Sequence, residues 1–200
     1  MSKDIIILGS GPSHGMCPYN RETWGVNIVI NFPQFRAKAG NKIFFFDSLE
    51  TFNADILSIN NLIETQGLIE AVTTADNARI MSTYNLKATI YPLETVIQQL
   101  KANYFANSLA YMVAYAIFTG VKSIHLYGVD HLSYQTYIME RSCLEYWLGR
   151  AQGAGIDISI AEDSAVLKTY NRKLYGYDFI YNEHTKPDED FVLCEDTMIK

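Results

Sequence analysis

Asp4-Ile-Ile-Ile-Leu-Gly-Ser-Gly-Pro-Ser13 opens the chain with a short apolar, β-branched run that breaks at glycine. Such a run suits a central strand covered on both faces, as parallel sheets require. Gly9, Ser10, Gly11, Pro12 and Ser13 then form a turn in which glycine lets the backbone bend sharply and approach a ligand, and successive N–H groups there can cradle a phosphate. It is no Walker A loop, because no Gly-Lys-Ser/Thr follows. It also makes a poor dinucleotide fingerprint, since Pro12 interrupts and the third glycine, Gly15, comes one residue late. A plain tight turn after a strand is the other reading, as a glycine-rich turn alone is weak evidence.

Working outward, Val26-Asn-Ile-Val-Ile30 reads as a second strand and Lys42-Ile-Phe-Phe-Phe46, closed by Asp47, as a third. Because the second strand then ends at Asn31, it lacks the acid that would hold an adenosine ribose, so NAD is not the expected ligand. Pro33 to Asn41 reads as a loop or broken helical turn, 49–64 as room for a short helix, 67–73 as a fourth strand and Ala88 to Tyr91 as a fifth. The clearest helix spans about Asn107 to Thr119. Asn107 or Ser108 can cap its start and Gly120 its end, and its almost wholly apolar surface predicts deep burial. Ser123 to Tyr127 is a strand that stops at Gly128-Val-Asp-His131. A helix follows from about Ile138 to Gln152, then a strand at Asp157–Ile160, then a short helix through Lys168 capped by Ser164. This alternation predicts an α/β protein with a Rossmann-like three-layer α/β/α fold and a mostly parallel sheet. The expected nucleotide-binding domain covers residues 1–176, with 177–200 as a polar, acidic C-terminal extension.

Composition narrows the function classes. The 200 residues are 48% hydrophobic and 19% charged, which is globular, and one domain of this length needs no staple. The 22 acidic and 16 basic residues give a net charge of −6, against a sequence-independent nucleic-acid binder, so nucleic acid is not an expected partner. Cys17, Cys143 and Cys194 are scattered and odd in number, which fits reduced thiols in a cytoplasmic protein better than a disulfide framework. No apolar stretch approaches membrane-spanning length.

In open parallel sheets, ligands bind beyond the carboxyl ends of the strands. Asp130 and His131 follow a strand directly, and a carboxylate beside an imidazole can supply acid–base chemistry near neutral pH. Equally, Asp130 can fix a turn while His131 faces solvent. Asp47 can contact a ligand or cap the next segment. His14 can meet a phosphate or point into solvent. Tyr134, Tyr137, Tyr170, Tyr175, Tyr177 and Tyr181 can form a lid over a base, or serve as core and interface. Cys143, on an apolar helix, reads as packing.

Three segments in order, Ile7 to Ser13, Trp24-Gly-Val-Asn27, and Phe105 to Met112 with Ile124 to Asp130, resemble the bacterial sialyltransferase-type Rossmann fold. They are also similar to the 6-hydroxymethylpterin diphosphokinase-like family and to related phage and bacterial proteins. The sialyltransferase resemblance implies that Gly11, Pro12, Ser13, Asn27, Asn107 and Ser108 hold the CMP part of a donor. It implies a transferase using a nucleotide-activated donor, either a CMP- or UDP-sugar or a diphosphate. Magnesium, with Asp47 and Asp130 as candidate ligands, is expected only for diphosphate transfer. The chain departs from the family at Ser10, where asparagine is usual, and at Leu109, where glycine is. The stretch Glu140 to Trp147 lacks the family's catalytic histidine. Those departures keep open a non-catalytic nucleotide- or partner-binding protein, and a homo-oligomer is a further expectation.

Overall fold

A computed structural model describes residues 3–49, 56–131, 138–169 and 174–176. Seven strands form one sheet: β1 (Asp4–Leu8), β2 (Glu22–Val26), β3 (Lys42–Phe45), β4 (Glu70–Thr73), β5 (Ala88–Ile90), β6 (Ser123–Tyr127) and β7 (Asp157–Ile160). Every pairing among them is parallel, in the order β5-β4-β3-β2-β1-β6-β7. Among the described residues the helices are α1 (Pro33–Arg36), α2 (Ile56–Glu64), α3 (Ala75–Thr83), α4 (Leu93–Leu100), α5 (Ser108–Thr119) and α6 (Ile138–Gly153). The α/β/α layering expected from the alternation is what the structure has.

Strand pleating explains the two cores. Ile5, Ile7, Trp24, Phe44 and Val72 point to one face, where they pack with Met112, Val113 and Ala116 of α5 and Leu144, Trp147 and Leu148 of α6. Ile6, Leu8, Ile43 and Phe45 point to the other, against Val29, Ile30, Phe35, Leu62 and Met81. Each fully buried side chain of this kind contributes about 1.5–3 kcal/mol of transfer free energy. The continuous apolar runs of β1 and β3 follow from this, since at Ile5–Leu8 and Ile43–Phe45 neither face of the sheet meets water.

Three expectations fail locally. The second strand is Glu22–Val26, not Val26–Ile30: Asn27 takes a positive φ of 49° and turns the chain into a 3-10 turn over Asn27–Asn31. The apolar residues that looked like a strand bury Val29 and Ile30 under the sheet instead. Helices α3 and α4 are additional elements. Finally, Ser164 to Lys168 form no helix. The Ser164 hydroxyl donates to the Val129 carbonyl (2.6 Å) and accepts from Val166 N–H, which pins a turn to the end of β6.

The chain divides into two compact units, Met1–Val166 and Leu167–Lys200. Of the second, Leu167–Thr169 and Leu174–Gly176 are described, and Tyr175 there is exposed. The expected extension 177–200 lies outside the described residues.

Candidate functional site

The strand order places β1 between β2 and β6. The chain steps one way from β1 to β5, then crosses back to add β6 and β7 on the other side. The strand order thus reverses between β1 and β6, which is where an open parallel sheet places its crevice, at the carboxyl edge. A cleft of about 640 Å³ lies there. Gly9, Ser10, Gly11, Pro12, Asn27, Asp47, Asn107, Ser108, Asp130 and His131 all line it, together with Glu140, Gly128 and neighbouring apolar residues. Ser13 and His14, also singled out from sequence, are not among its lining residues. Among the described residues no lysine or arginine lines the cleft, so its ionisable wall consists of Asp47, Asp130, Glu140 and His131.

Ser13 sits behind the wall and explains what Asp130 does. Its N–H donates to Asp130 Oδ2 (2.8 Å), its hydroxyl donates to Asp130 Oδ1, and the same hydroxyl accepts from Gly128 N–H (2.7 Å). Both partners are buried. Charge-assisted hydrogen bonds of this kind are the strong ones. The carboxylate thus joins the β1 loop to the β6 loop. The glycines serve the same junction. Gly9 N–H donates to Tyr127 O (2.9 Å) and Gly11 N–H to Gly128 O (2.8 Å). A Cβ on Gly11 would stand 2.9 Å from Gly128 O, and a Cβ on Gly128 would press into the Gly9 backbone. The glycines are needed because two loops meet.

The phosphate cradle expected at this loop is consequently mostly closed. The amides of Gly9, Gly11, Ser13 and His14 all have intraprotein acceptors, and Pro12 has no N–H. His14 is turned away: its Nδ1 lies 2.9 Å from Gly11 O and its ring packs on Phe32. An anion finds better donors across the cleft. Asn107 Oδ1 caps α5 by accepting from Ala110 N–H (2.7 Å), and Asn107 Nδ2 donates to Glu140 O (2.7 Å), which ties the starts of α5 and α6 together. This leaves the first amides of α5, at Ser108 and Leu109, on the cleft wall where a helix N-terminus favours negative charge.

On the remaining side, the Asn27 amide donates through Nδ2 to Asp47 Oδ2. A carboxylate accepts only, so this bond fixes the amide's orientation. Asn27 Oδ1 is left buried and without a donor among the described residues. A buried acceptor left unmatched costs about 1–3 kcal/mol, a cost that a ligand N–H or O–H could relieve.

His131 has a φ of 45° and lies half-buried on the wall. Burial, and then the Arg141 charge, hold its imidazole below the usual histidine range. Glu140 shifts the other way: burial, and then the Asp47 charge, push its carboxyl up. Glu140 was invisible to motif reading, because one acid in the first turn of a polar-faced helix carries no pattern. Cys143 is packing: it is buried, donates to Tyr104 O and accepts from Ala106 N–H. Of the six tyrosines proposed as a lid, all but Tyr175 lie outside the described residues.

Magnesium fits poorly here. Both Asp130 oxygens are held by Ser13, Asp47 Oδ2 is held by Asn27, and no group of three His, Cys, Asp or Glu among the described residues could hold a metal ion. Among the same residues no helix is long and apolar enough to cross a membrane.

No protein-family model and no curated protein matches the sequence. The fold does match solved structures. The sialyltransferase CstII from Campylobacter jejuni, in complex with the substrate analogue cytidine-5'-monophosphate, superposes with a TM-score of 0.54 at 20% identity over 82% of this chain and 81% of that one. The apo alpha-2,3-sialyltransferase from the same organism gives 0.55 at 19% identity over 82% and 77%. The monofunctional alpha-2,3-sialyltransferase Cst-I gives 0.54 at 18% identity over 98% and 90%. At these identities the likeness is one of architecture: the chain has a sialyltransferase-like fold.

Proposed function

We propose that the cleft binds a nucleotide-activated sugar, of the CMP or UDP class, and that the protein is a glycosyltransferase-like enzyme. One observation carries the reading. A single crevice at the strand-order reversal gathers an open helix N-terminus, an oriented asparagine with an unmatched acceptor, and an ionisable wall. The fold it sits in is shared with CstII, which was captured with cytidine-5'-monophosphate. In this arrangement the Ser108 and Leu109 amides receive the phosphate. Asn27 Oδ1 accepts from an amino or hydroxyl group of the nucleoside, with Asp47 holding the amide in place. Asp130 and Ser13 keep the two loops in register, and the acceptor hydroxyl meets the wall formed by His131 and Glu140. Diphosphate transfer is the weaker chemistry, because its magnesium ligands are committed elsewhere.

A non-catalytic nucleotide binder is the second reading. It is favoured by the commitment of Asp130 to Ser13 and by the absence of a cleft cation among the described residues. Turnover separates the two. Release of free nucleotide from a panel of CMP- and UDP-sugars, with water or simple glycosides as acceptor, is expected from the enzyme. Tight nucleotide binding with no release from any donor would select the binder.

A further inference from the structure

The cleft has three carboxylates, and the structure commits two of them. Asp130 is held at both oxygens by Ser13, and Asp47 accepts from Asn27. The Glu140 carboxylate has no hydrogen-bond or ion-pair partner among the described residues, yet it lines the same cleft at the start of α6. Its backbone is fixed by the Asn107 Nδ2 bond to its carbonyl, so the side chain springs from an anchored point beside the α5 N-terminus. The adjacent cation does not neutralise it: Arg141 Nε is turned along the helix to Glu145 Oε1 (2.8 Å).

We propose that Glu140 is the general base of the transfer reaction, in place of His131. The proposal rests on the glycosyltransferase reading given above. The acceptor O–H proton passes to the Glu140 carboxylate as the acceptor oxygen bonds to the anomeric carbon of the donor. The bond from that carbon to the phosphate oxygen breaks, and its electron pair leaves with the nucleotide. His131 is less suited, because its Nδ1 is buried and its surroundings disfavour taking up a proton. The groups around Glu140 are Asp47 after β3, Asp130 and His131 after β6, and Arg141 and Glu145 on its own helix. Burial and Asp47 both strengthen the carboxylate as a base.

The test is the pH dependence of kcat/KM for nucleotide release in wild type, Glu140→Gln, Glu140→Asp, His131→Asn and Asp47→Asn. Glu140→Gln is expected to lower kcat by about 10²–10⁴-fold and to abolish the acid limb, with CMP affinity within about threefold of wild type. Glu140→Asp should keep part of the rate and the limb, and His131→Asn should keep the limb. Asp47→Asn removes the charge that raises Glu140, so the limb should move to lower pH. That arm decides the matter if Glu140→Gln does not fold. A Glu140→Gln enzyme within about threefold of wild type, a limb lost in His131→Asn instead, or a limb unmoved by Asp47→Asn would overturn the proposal while leaving the transferase reading intact. A wild-type protein that releases nucleotide from no CMP- or UDP-sugar would overturn both.

Discussion

Replacing Ser13 with alanine tests the junction that shapes the cleft. The substitution deletes one hydroxyl that donates to Asp130 Oδ1 and accepts from Gly128 N–H, in a region where Ser13 is 2% and Asp130 4% exposed. A hydrogen bond to a charged group contributes about 1.5–3 kcal/mol, and a buried N–H left without an acceptor costs about 1–3 kcal/mol. The two losses share one atom and do not simply add, so a net destabilisation of about 3 kcal/mol is expected. At about 2–4 °C per kcal/mol for a chain of this size, Tm should fall by about 6–12 °C. Urea unfolding of wild type, Ser13→Ala, Asp130→Asn and the double variant gives the coupling directly. A coupling above about 1 kcal/mol is expected. A Ser13→Ala protein within about 0.5 kcal/mol of wild type, or additive single variants, would refute the junction.

Three further predictions follow from the same geometry. Gly128→Ala places a Cβ against the Gly9 backbone at a residue with φ of 64°, so it should cost more than about 3 kcal/mol; Gly15→Ala, with nothing within 4 Å of its Cβ, should cost under about 0.5 kcal/mol, and equal costs by urea unfolding would contradict the packing account. Asn107→Ala removes the α5 cap and the tie to Glu140 O, and should cost about 1–2 kcal/mol, while Asn107→Asp keeps only the cap; a Tm for Asn107→Asp equal to that of wild type would show that the tie contributes nothing. At the amino ends of the strands, burial pushes the Glu22 and Glu70 carboxyls up. For Glu22, hydrogen bonds from Lys3 and Trp24 outweigh burial; for Glu70, those from Lys42 and Thr89 do, so both end below the usual carboxylate range. Their contribution is therefore complete above about pH 4.3, the unfolded value, and is lost as pH falls through the lower folded values. Glu22→Gln/Glu70→Gln should flatten that part of the stability–pH curve, and an unchanged slope there would show that the ion pairs are inert.

The parts of the fold legible in the sequence are those set by short-range rules. The runs at Ile5–Leu8 and Ile43–Phe45 announce strands buried on both faces, and Asn107 and Gly120 mark the ends of α5 by capping chemistry. Asn27 misleads for a local reason: its left-handed backbone turns a β-branched stretch into a 3-10 turn, while Thr23-Trp24-Gly25 makes a strand whose glycine fits under Phe35 and Val29. Helix α3 is too polar to betray itself by periodicity, and its one signal is Thr74 capping Asn77 N–H. The strand-end loops were readable as a cleft because topology rules place ligands there. The division of labour inside the cleft was not readable. Asp130 finds Ser13 across 117 residues, and Glu140 reaches the wall only because Asn107 holds α6 beside α5.

The most direct measurement is titration calorimetry of the wild-type protein with CMP, beside Asn27→Ala and Ser108→Pro. Proline at the first position of α5 removes a donor amide that the phosphate would use and suits the helix start. Saturable binding to wild type is expected, weakened at least about tenfold by each substitution, with both variants folded. No detectable heat or thermal shift with CMP, UDP or their sugars at millimolar concentration, or binding that neither substitution weakens, would contradict the placement of a nucleotide site in this cleft.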